Sequence, residues 1–451
     1  MEKSVEDVVI VGAGIAGLAT ALGLHRLGIR SLVLESGDSM RTSGFALGIW
    51  TNGWRALDAL GVGDILRSKH KRITGIITTS VISGLTTSQL PFTAMHSGII
   101  TTSVNSGLTT SQLPFTAIHS WGRGDHELRA VNRKVLLETL ETELPKGIIR
   151  FSSKVVRIET DHHHHFNSIH LADGTVLQSK VLIGCDGVNS VVARFLGFSK
   201  PSFAGRSAVR GLVDFENGHG FEPKFRQFFG KGIRYGVIPC DDVLLLPRVL
   251  FCSFVLKNLL LKFRFLSISI VTYDAEREVE EDPTKLKQFI LSKLGKVSDN
   301  IRAVFEKTQV QNMVCSPLRF RLPWELLWRN ISKDNVCIAG DALHPMTPDL
   351  GQGGCAALED SIVLAGVLAE ALKGKASENE YQRLQKGLEK FARERRWRSF
   401  DLISTAYMVG FMQQSDGVVM NFVRDKIVVK FMAGMLLKKA GFDCGKLTVS
   451  S

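Results

Sequence analysis

The residues best able to do chemistry sit in three short runs far apart in the chain. The first is Val8-Val9-Ile10-Val11-Gly12-Ala13-Gly14-Ile15-Ala16-Gly17, with Glu35 closing the next apolar run. The second is Gly184-Cys185-Asp186-Gly187-Val188-Asn189-Ser190. The third is Ile338-Ala339-Gly340-Asp341-Ala342-Leu343-His344-Pro345, followed by Pro348 and Gly351-Gln352-Gly353-Gly354. Glycines spaced this way after a β-branched run are suited to holding a pyrophosphate. Gly12 permits a tight turn, Gly14 lets the backbone approach the phosphates, and Gly17 lets the following helix pack on the strand. Ile15 and Ala16 are read as cofactor-binding positions of the same loop, and the N-terminus of the following helix offers free N–H groups and a positive dipole end. Glu35 is placed to accept hydrogen bonds from a ribose diol and would repel a 2′-phosphate. The loop is therefore expected to hold the ADP half of FAD rather than NADP, with a ligand-free glycine turn as the alternative.

The elements that must position these groups follow from local patterning. Val8–Val11 reads as a strand, Leu18–Leu27 as a helix and Ser31–Leu34 as the next strand. Helices are expected over Trp54–Leu60, Val131–Leu144 and Ala356–Leu372. Strands are expected over Lys154–Thr160, Ser168–Ala172 and Thr175–Ile183, with Asp173-Gly174 as a hairpin turn. His162 to His165 fall in the loop between the first two of these, read as an exposed loop tip in preference to a metal site. There is no G-x-S-x-G, C-x-x-C or H-E-x-x-H pattern, so no catalytic nucleophile or base and no metal ligands are assigned.

At 451 residues the chain can bury a large core, in two interleaved domains with a helical tail. The formal charge of +12 is spread over Arg67–Arg72, Arg393–Arg398 and Lys438-Lys439. No nucleic-acid module accompanies it, so solvated basic faces that attract anionic small molecules are expected. Seven scattered cysteines suit reduced, buried thiols. The first strand begins within seven residues, which leaves no room for a targeting peptide. A cytoplasmic protein is expected, or a plastid one if an upstream exon is missing. Val243–Tyr273 is apolar but interrupted by charges, short of the roughly 20 residues a membrane helix needs. Val418–Leu437 is read as a helix packed on the core in preference to one lying on a membrane.

On these motifs the chain resembles the FAD-dependent aromatic-ring hydroxylases, the single-component flavin monooxygenases, and within them the plant salicylate-hydroxylase-like and zeaxanthin-epoxidase-like members. The resemblance covers roughly residues 5–75, 121–240 and 275–445. It implies an α/β (α+β) fold, with a Rossmann-like FAD-binding domain (1–74, 121–199, 316–375) interleaved with a mixed-sheet substrate domain (75–120, 200–315). C-terminal helices (376–451) complete it. It further implies that Asp186 and Gly187, with Cys185, Ser190 and Arg194, lie near the pyrophosphate and bear on both FAD and NAD(P)H. Gly340 and Asp341 would meet the ribityl chain. Pro348, Gly351, Gly353 and Gly354 would belong to the loop whose backbone N–H groups face the flavin pyrimidine edge. A helix starting near Ala356 would aim its positive end there and favour the anionic reduced flavin. Arg133 and Arg41 match cofactor-contacting arginines, the alternatives being exposed surface arginines; Asp186 and Asp341 are otherwise turn aspartates.

The implied reaction uses NAD(P)H, bound transiently, to reduce FAD. O2 then forms a flavin hydroperoxide that places one oxygen atom on a small apolar or aromatic substrate. His344 is a candidate tuner or proton shuttle, or a structural part of its loop. An epoxidase, an oxidase and a flavin-binding protein without catalysis are the other readings.

Two segments depart from the family pattern. Gly75–Ser97 and Gly98–Ser120 are identical except at Ile82/Asn105 and Met95/Ile118. One copy is surplus, as a recent exon duplication or an assembly error would leave it. One is expected to form the family's strand and the other a poorly ordered excursion. Val243–Val271 replaces the family's aromatic-rich strands and is read as a translated intron or frameshifted exon, with genuine strands of altered composition as the alternative. The substrate pocket should come from 200–315, where Phe228, Phe229 and Tyr235 are pocket or core residues.

Overall fold

The computed structural model describes residues 5–41, 45–92, 100–101, 126–161, 163–215, 218–230, 233–241, 248–256, 282–374, 379–414 and 429–447. Their architecture is mixed α/β, organised on two eight-stranded sheets and one two-stranded ribbon.

The first sheet has a parallel centre. Val5–Val11 lies between Val176–Gly184 and Leu32–Leu34, with Val9 opposite both Leu182 and Leu32. Val336–Ile338 extends it beyond Val176–Gly184, and Ile149–Arg150 extends it beyond Leu32–Leu34. Parallel neighbours need crossover connections, and the helix Ile15–Arg26 supplies the first. That helix and the helix Gly353–Leu372 are apolar on nearly every face and are buried almost throughout, as helices sandwiched inside a domain must be. They cross closely: a methyl on Gly23 would stand 2.9 Å from Ala365 Cβ.

The second sheet runs in the order Met313–Phe320, Ser202–Asp214, Arg248–Leu256, Ile233–Asp241, Lys224–Gly230, Gly75–Ser80, Thr86–Pro91, Ile100–Thr101. Its far face carries a separate core. Phe228 stacks on Tyr235 at 4.8 Å, Tyr235 meets Phe305 edge-on, and Tyr235 donates a 2.7 Å hydrogen bond to Leu294 O. The helices Pro283–Lys293 and Asp299–Lys307 cover this core. Phe228 and Tyr235 are therefore core residues. Phe229 is also buried, under the Arg234 guanidinium.

Several boundaries differ from the sequence expectations. Residues 131–132 end the strand Leu128–Asn132, which pairs with Ala46–Trp50, and the helix spans Arg133–Thr142. Asn132 ends the strand and caps the helix, its side chain accepting from Lys134 N at 2.9 Å. The helix expected at Trp54 begins at Thr51, and the one expected at Ala356 begins at Gly353. Strand Met313–Phe320 remains in the second sheet, so the return to the first sheet falls after Phe320 rather than at 316. The first repeat copy forms a hairpin whose second strand also pairs with Ile100–Thr101; the rest of the second copy lies outside the described residues. Arg248–Leu256 is a strand paired on both sides, in unbroken register with Arg206–Asp214 and with one irregularity between Pro239 and Asp241 on the other side, so for these nine residues strand is what the altered composition makes. Residues 242–247 and 257–281, and His162, lie outside the described set.

Candidate functional site

The glycine loop joins the three runs. Gly12 has φ +101°, a region closed to most side chains, and its N–H donates to Leu34 O at 2.7 Å. A Cβ there would stand 2.5 Å from Cys185 O, because the second run passes directly beneath. Cys185 N donates to Val11 O, and Ala339 N donates to Gly184 O, so the loop, the Asp186 turn and the Gly340 turn share one end of the parallel strands. That end is where α/β sheets bind ligands. A Cβ on Gly17 would lie 1.9 Å from Gly12 O, whereas one on Gly14 would meet nothing within 4 Å. The first glycine is demanded by packing; the second opens onto free space.

Glu35 is buried and grips the loop from within the protein. Its carboxylate accepts from Ala13 N at 3.0 Å and from Gly37 N at 2.8 Å. Arg41 approaches it at 3.5 Å, and Arg133 donates to Arg41 O. Burial lowers the Arg133 guanidinium; Asp341 and Glu35 oppose that and Arg41 adds to it. Residues separated by hundreds of positions thus act on one another's charge.

Asp341 is surrounded by protein and yet its side chain stays open to solvent, as expected in a deep cleft. Burial raises its carboxyl, against the pull of His344, Arg133 and Arg210. Arg210 comes from the second sheet and was not foreseen; nothing in its local sequence marks it. Asp186 has a more structural position than expected. Its Oδ2 accepts from Val191 N at 2.6 Å at the start of the short helix Val191–Phe195, while Oδ1 is buried without a partner. Burial raises this carboxyl too, opposed by Ser190 and the Val191 N–H.

The third run continues into Pro348–Leu350, one 3-10 turn, and Gly351 at φ +61°. Gly353 and Gly354 are the first residues of the helix Gly353–Leu372, whose N-terminus has no side-chain cap. A Cβ on Gly354 would press to 2.7 Å from Leu47. Two buried ionic clusters hold this loop, and the sequence reading identified neither. Asp349 is fully buried and accepts from Arg206 and, at 2.8 Å, from Arg234, both on the second sheet. Behind the loop, Asp360 accepts from His344 Nε2 at 2.7 Å, Gly340 N at 2.8 Å and Arg395 Nε at 2.6 Å. Glu359 accepts from Arg395, Arg398 and Asn52. Burial alone would raise Asp360; His344 and Arg395 outweigh it and hold the carboxyl at about 2. His344 is thus fully buried and committed to Asp360, which is the structural reading of that residue.

The donor set fits FAD. Two helix N-termini lack side-chain caps, the space above Gly14 is open, and Asp341 and Asp186 offer carboxylate atoms toward the same end of the sheet. Among the described residues no group of three or more His, Cys, Asp or Glu could hold a metal ion.

Comparison with known proteins agrees. Residues 6–219 and 296–398 match the family described as FAD binding domain. Monooxygenase 2 of Arabidopsis thaliana is 46% identical over 454 residues, spanning 99% of this chain and 99% of that protein. Monooxygenase 1 of the same plant is 32% identical, spanning 98% and 99%. A crystal structure of Klebsiella pneumoniae HpxO complexed with FAD and uric acid superposes with TM-score 0.73 at 19% identity, covering 96% of each chain. Fold, site and relatives define the class: this is an FAD-dependent monooxygenase. The chain belongs to the FAD binding domain family.

Proposed function

We propose that the protein is an NAD(P)H-consuming hydroxylase that places one oxygen atom of O2 on a small apolar or aromatic molecule. The observation that carries this reading is Asp341: a Cβ on its neighbour Gly340 would stand 2.7 Å from Ala16 of the glycine motif, and both Arg133 and, from the second sheet, Arg210 act on its carboxyl. FAD bound there would supply the redox chemistry that activates O2. Gly14, Ile15, Ala16 and Gly17 would take the pyrophosphate on backbone N–H groups, with Gly12 shaping the turn and Arg41 and Arg133 adding charge. Glu35 would take the ribose through lone pairs its loop bonds leave free. Asp186 and Gly187 would line the pyrophosphate side, and Gly340 and Asp341 the ribityl side. Gly351, Gly353 and Gly354 would aim N–H groups and a positive helix end at the pyrimidine edge, with Pro348, which has no N–H of its own, shaping the loop before them.

A small organic substrate would enter from the side of the second sheet, and the uric acid of the Klebsiella complex supports a planar, ring-containing molecule. Buried thiols at Cys185, Cys337 and Cys355, none in a disulfide, support a reducing compartment such as the cytoplasm. The test is to purify the protein, record its flavin spectrum, and follow NADPH and NADH loss against a panel of cyclic substrates under isotopically labelled O2. Label in a product formed in step with cofactor loss supports a hydroxylase. Cofactor oxidation with unlabelled product and hydrogen peroxide indicates an oxidase, and a yellow but inert protein indicates flavin binding without catalysis.

A further inference from the structure

Three of the five tryptophans among the described residues are placed where burial would not put them. Trp50 and Trp54 are core residues, but Trp324, Trp328 and Trp397 are 55%, 80% and 63% exposed. Single exposed apolar side chains are ordinary; three indoles on adjoining elements are not. Trp324 precedes and Trp328 ends the single helical turn Glu325–Trp328, which also exposes Leu327. Trp397 lies on the long helix Glu380–Gln414. The two elements are tied together at this point: Arg396, next to Trp397, donates to Leu326 O and, at 3.1 Å, to Arg329 O. The turn is also tied inward. Arg321 donates to Leu343 O and Ala342 O at 2.9 Å and stacks on Phe198 at 4.4 Å, so the patch is fixed in place by the buried motif that carries Asp341.

The charge around the indoles is mainly positive. Arg329 follows Trp328 directly, Arg393 lies one helical turn before Trp397, and both are exposed. Of the nearby acids, Glu325 is already engaged by Arg321 and by Ser199 N, and the exposed Asp401, one turn after Trp397, pairs with Lys439, which leaves Glu394 as the other exposed anion beside Trp397. Indoles ringed by arginine match the water–lipid boundary of an anionic bilayer, where the ring body enters the headgroup layer while its N–H and the guanidiniums stay wet. The whole chain is at +12, so long-range attraction to an anionic surface acts in the same direction. Among the described residues no helix is long and apolar enough to cross a membrane, and this contact needs none.

The geometry points to a peripheral docking face, made by Trp324, Leu327, Trp328 and Trp397 with Arg329 and Arg393, that seats the protein on an anionic membrane surface. Such seating would suit an enzyme whose substrates partition into lipid, but the contact stands or falls without that activity.

The test uses the full-length, FAD-loaded protein and vesicles of phosphatidylcholine, with and without phosphatidylglycerol. Flotation should carry the protein with the anionic vesicles, with a blue shift in tryptophan emission, and added salt should weaken it. Replacing Arg329 or Arg393 with Gln should lower partitioning about fivefold each. The triple change Trp324→Ser, Trp328→Ser, Trp397→Ser should abolish the blue shift and the flotation, while flavin content and melting temperature stay at the parent values because these rings are solvent-facing. Failure to float with anionic vesicles overturns the proposal. So does undiminished flotation of the triple variant, or concentration-dependent dimerisation that the triple change removes, which would make the face a contact between copies. None of these readouts depends on turnover, so a negative result leaves the monooxygenase reading in place.

Discussion

Gly14, at the helix N-cap, and Gly17, in the first turn of the helix, sit three residues apart, and the structure gives them opposite surroundings. Gly17 is required by the fold: its missing Cβ would lie 1.9 Å from a backbone oxygen that cannot swing aside. Gly17→Ala should strain the protein with or without cofactor, by about 1–3 kcal/mol as overpacking does. Gly14 has φ −82°, which alanine adopts freely, and open space above it. In the apo protein Gly14→Ala should be neutral or stabilising by about 0.4–1 kcal/mol, since it restricts only the unfolded chain. With FAD present the same methyl would occupy the space of the pyrophosphate and displace at least one charge-assisted hydrogen bond, about 1.5–3 kcal/mol, so FAD should bind roughly ten- to a hundredfold more weakly. Thermal unfolding of the apo forms and titration of flavin fluorescence measure the two quantities separately. Equal destabilisation of both apo variants, or parental FAD affinity in Gly14→Ala, would refute the assignment of this loop to the pyrophosphate.

Other outcomes follow from the buried ionic clusters. Asp349→Ala leaves Arg206 and Arg234 buried without this carboxylate and should cost about 3–5 kcal/mol, read as a lower denaturation midpoint together with weaker FAD retention, because the same loop carries Gly351 and Gly353. Asp360 has a folded-state pKa below its unfolded one, so the unfolded chain takes up protons first on acidification. Its contribution is complete above about pH 4 and is withdrawn as pH falls toward about 2. Asp360→Asn should flatten that limb of the stability–pH curve, and an unchanged limb would place the acid sensitivity elsewhere. Tyr235→Phe removes the bond to Leu294 O and should cost about 1 kcal/mol without altering the flavin spectrum; a changed spectrum would mean that Tyr235 serves the site and not only the core.

Much of this molecule is legible without coordinates, for a local reason. The strand–glycine–helix unit is written in consecutive residues, and Gly12, Gly14, Gly17 and Glu35 declare it through steric demands that act over one turn of chain. The hairpin at Asp173-Gly174 is legible in the same way, with Gly174 at φ +86° as the turn requires. Where local and tertiary preferences competed, the sequence reading slipped. Val131 and Asn132 fit a helical pattern, but pairing with Leu47 and Ala46 claims them for a strand. The run from Arg248 to Leu256 lacks clear alternation because a strand paired on both edges is held by its neighbours as much as by its own pattern.

The charges around the cleft could be decided only in three dimensions. Nothing within a few residues of Asp349 announces Arg206 or Arg234, and nothing near Asp341 announces Arg210. Electrostatic pairing depends on distance in space, and the chain brings these groups together only after both sheets have formed. The sequence by itself therefore determined the strand–glycine–helix unit and the glutamate that follows the next strand. The tertiary structure decided which glycines answer to packing and which open onto free space, and which carboxylates are spent on holding the loop.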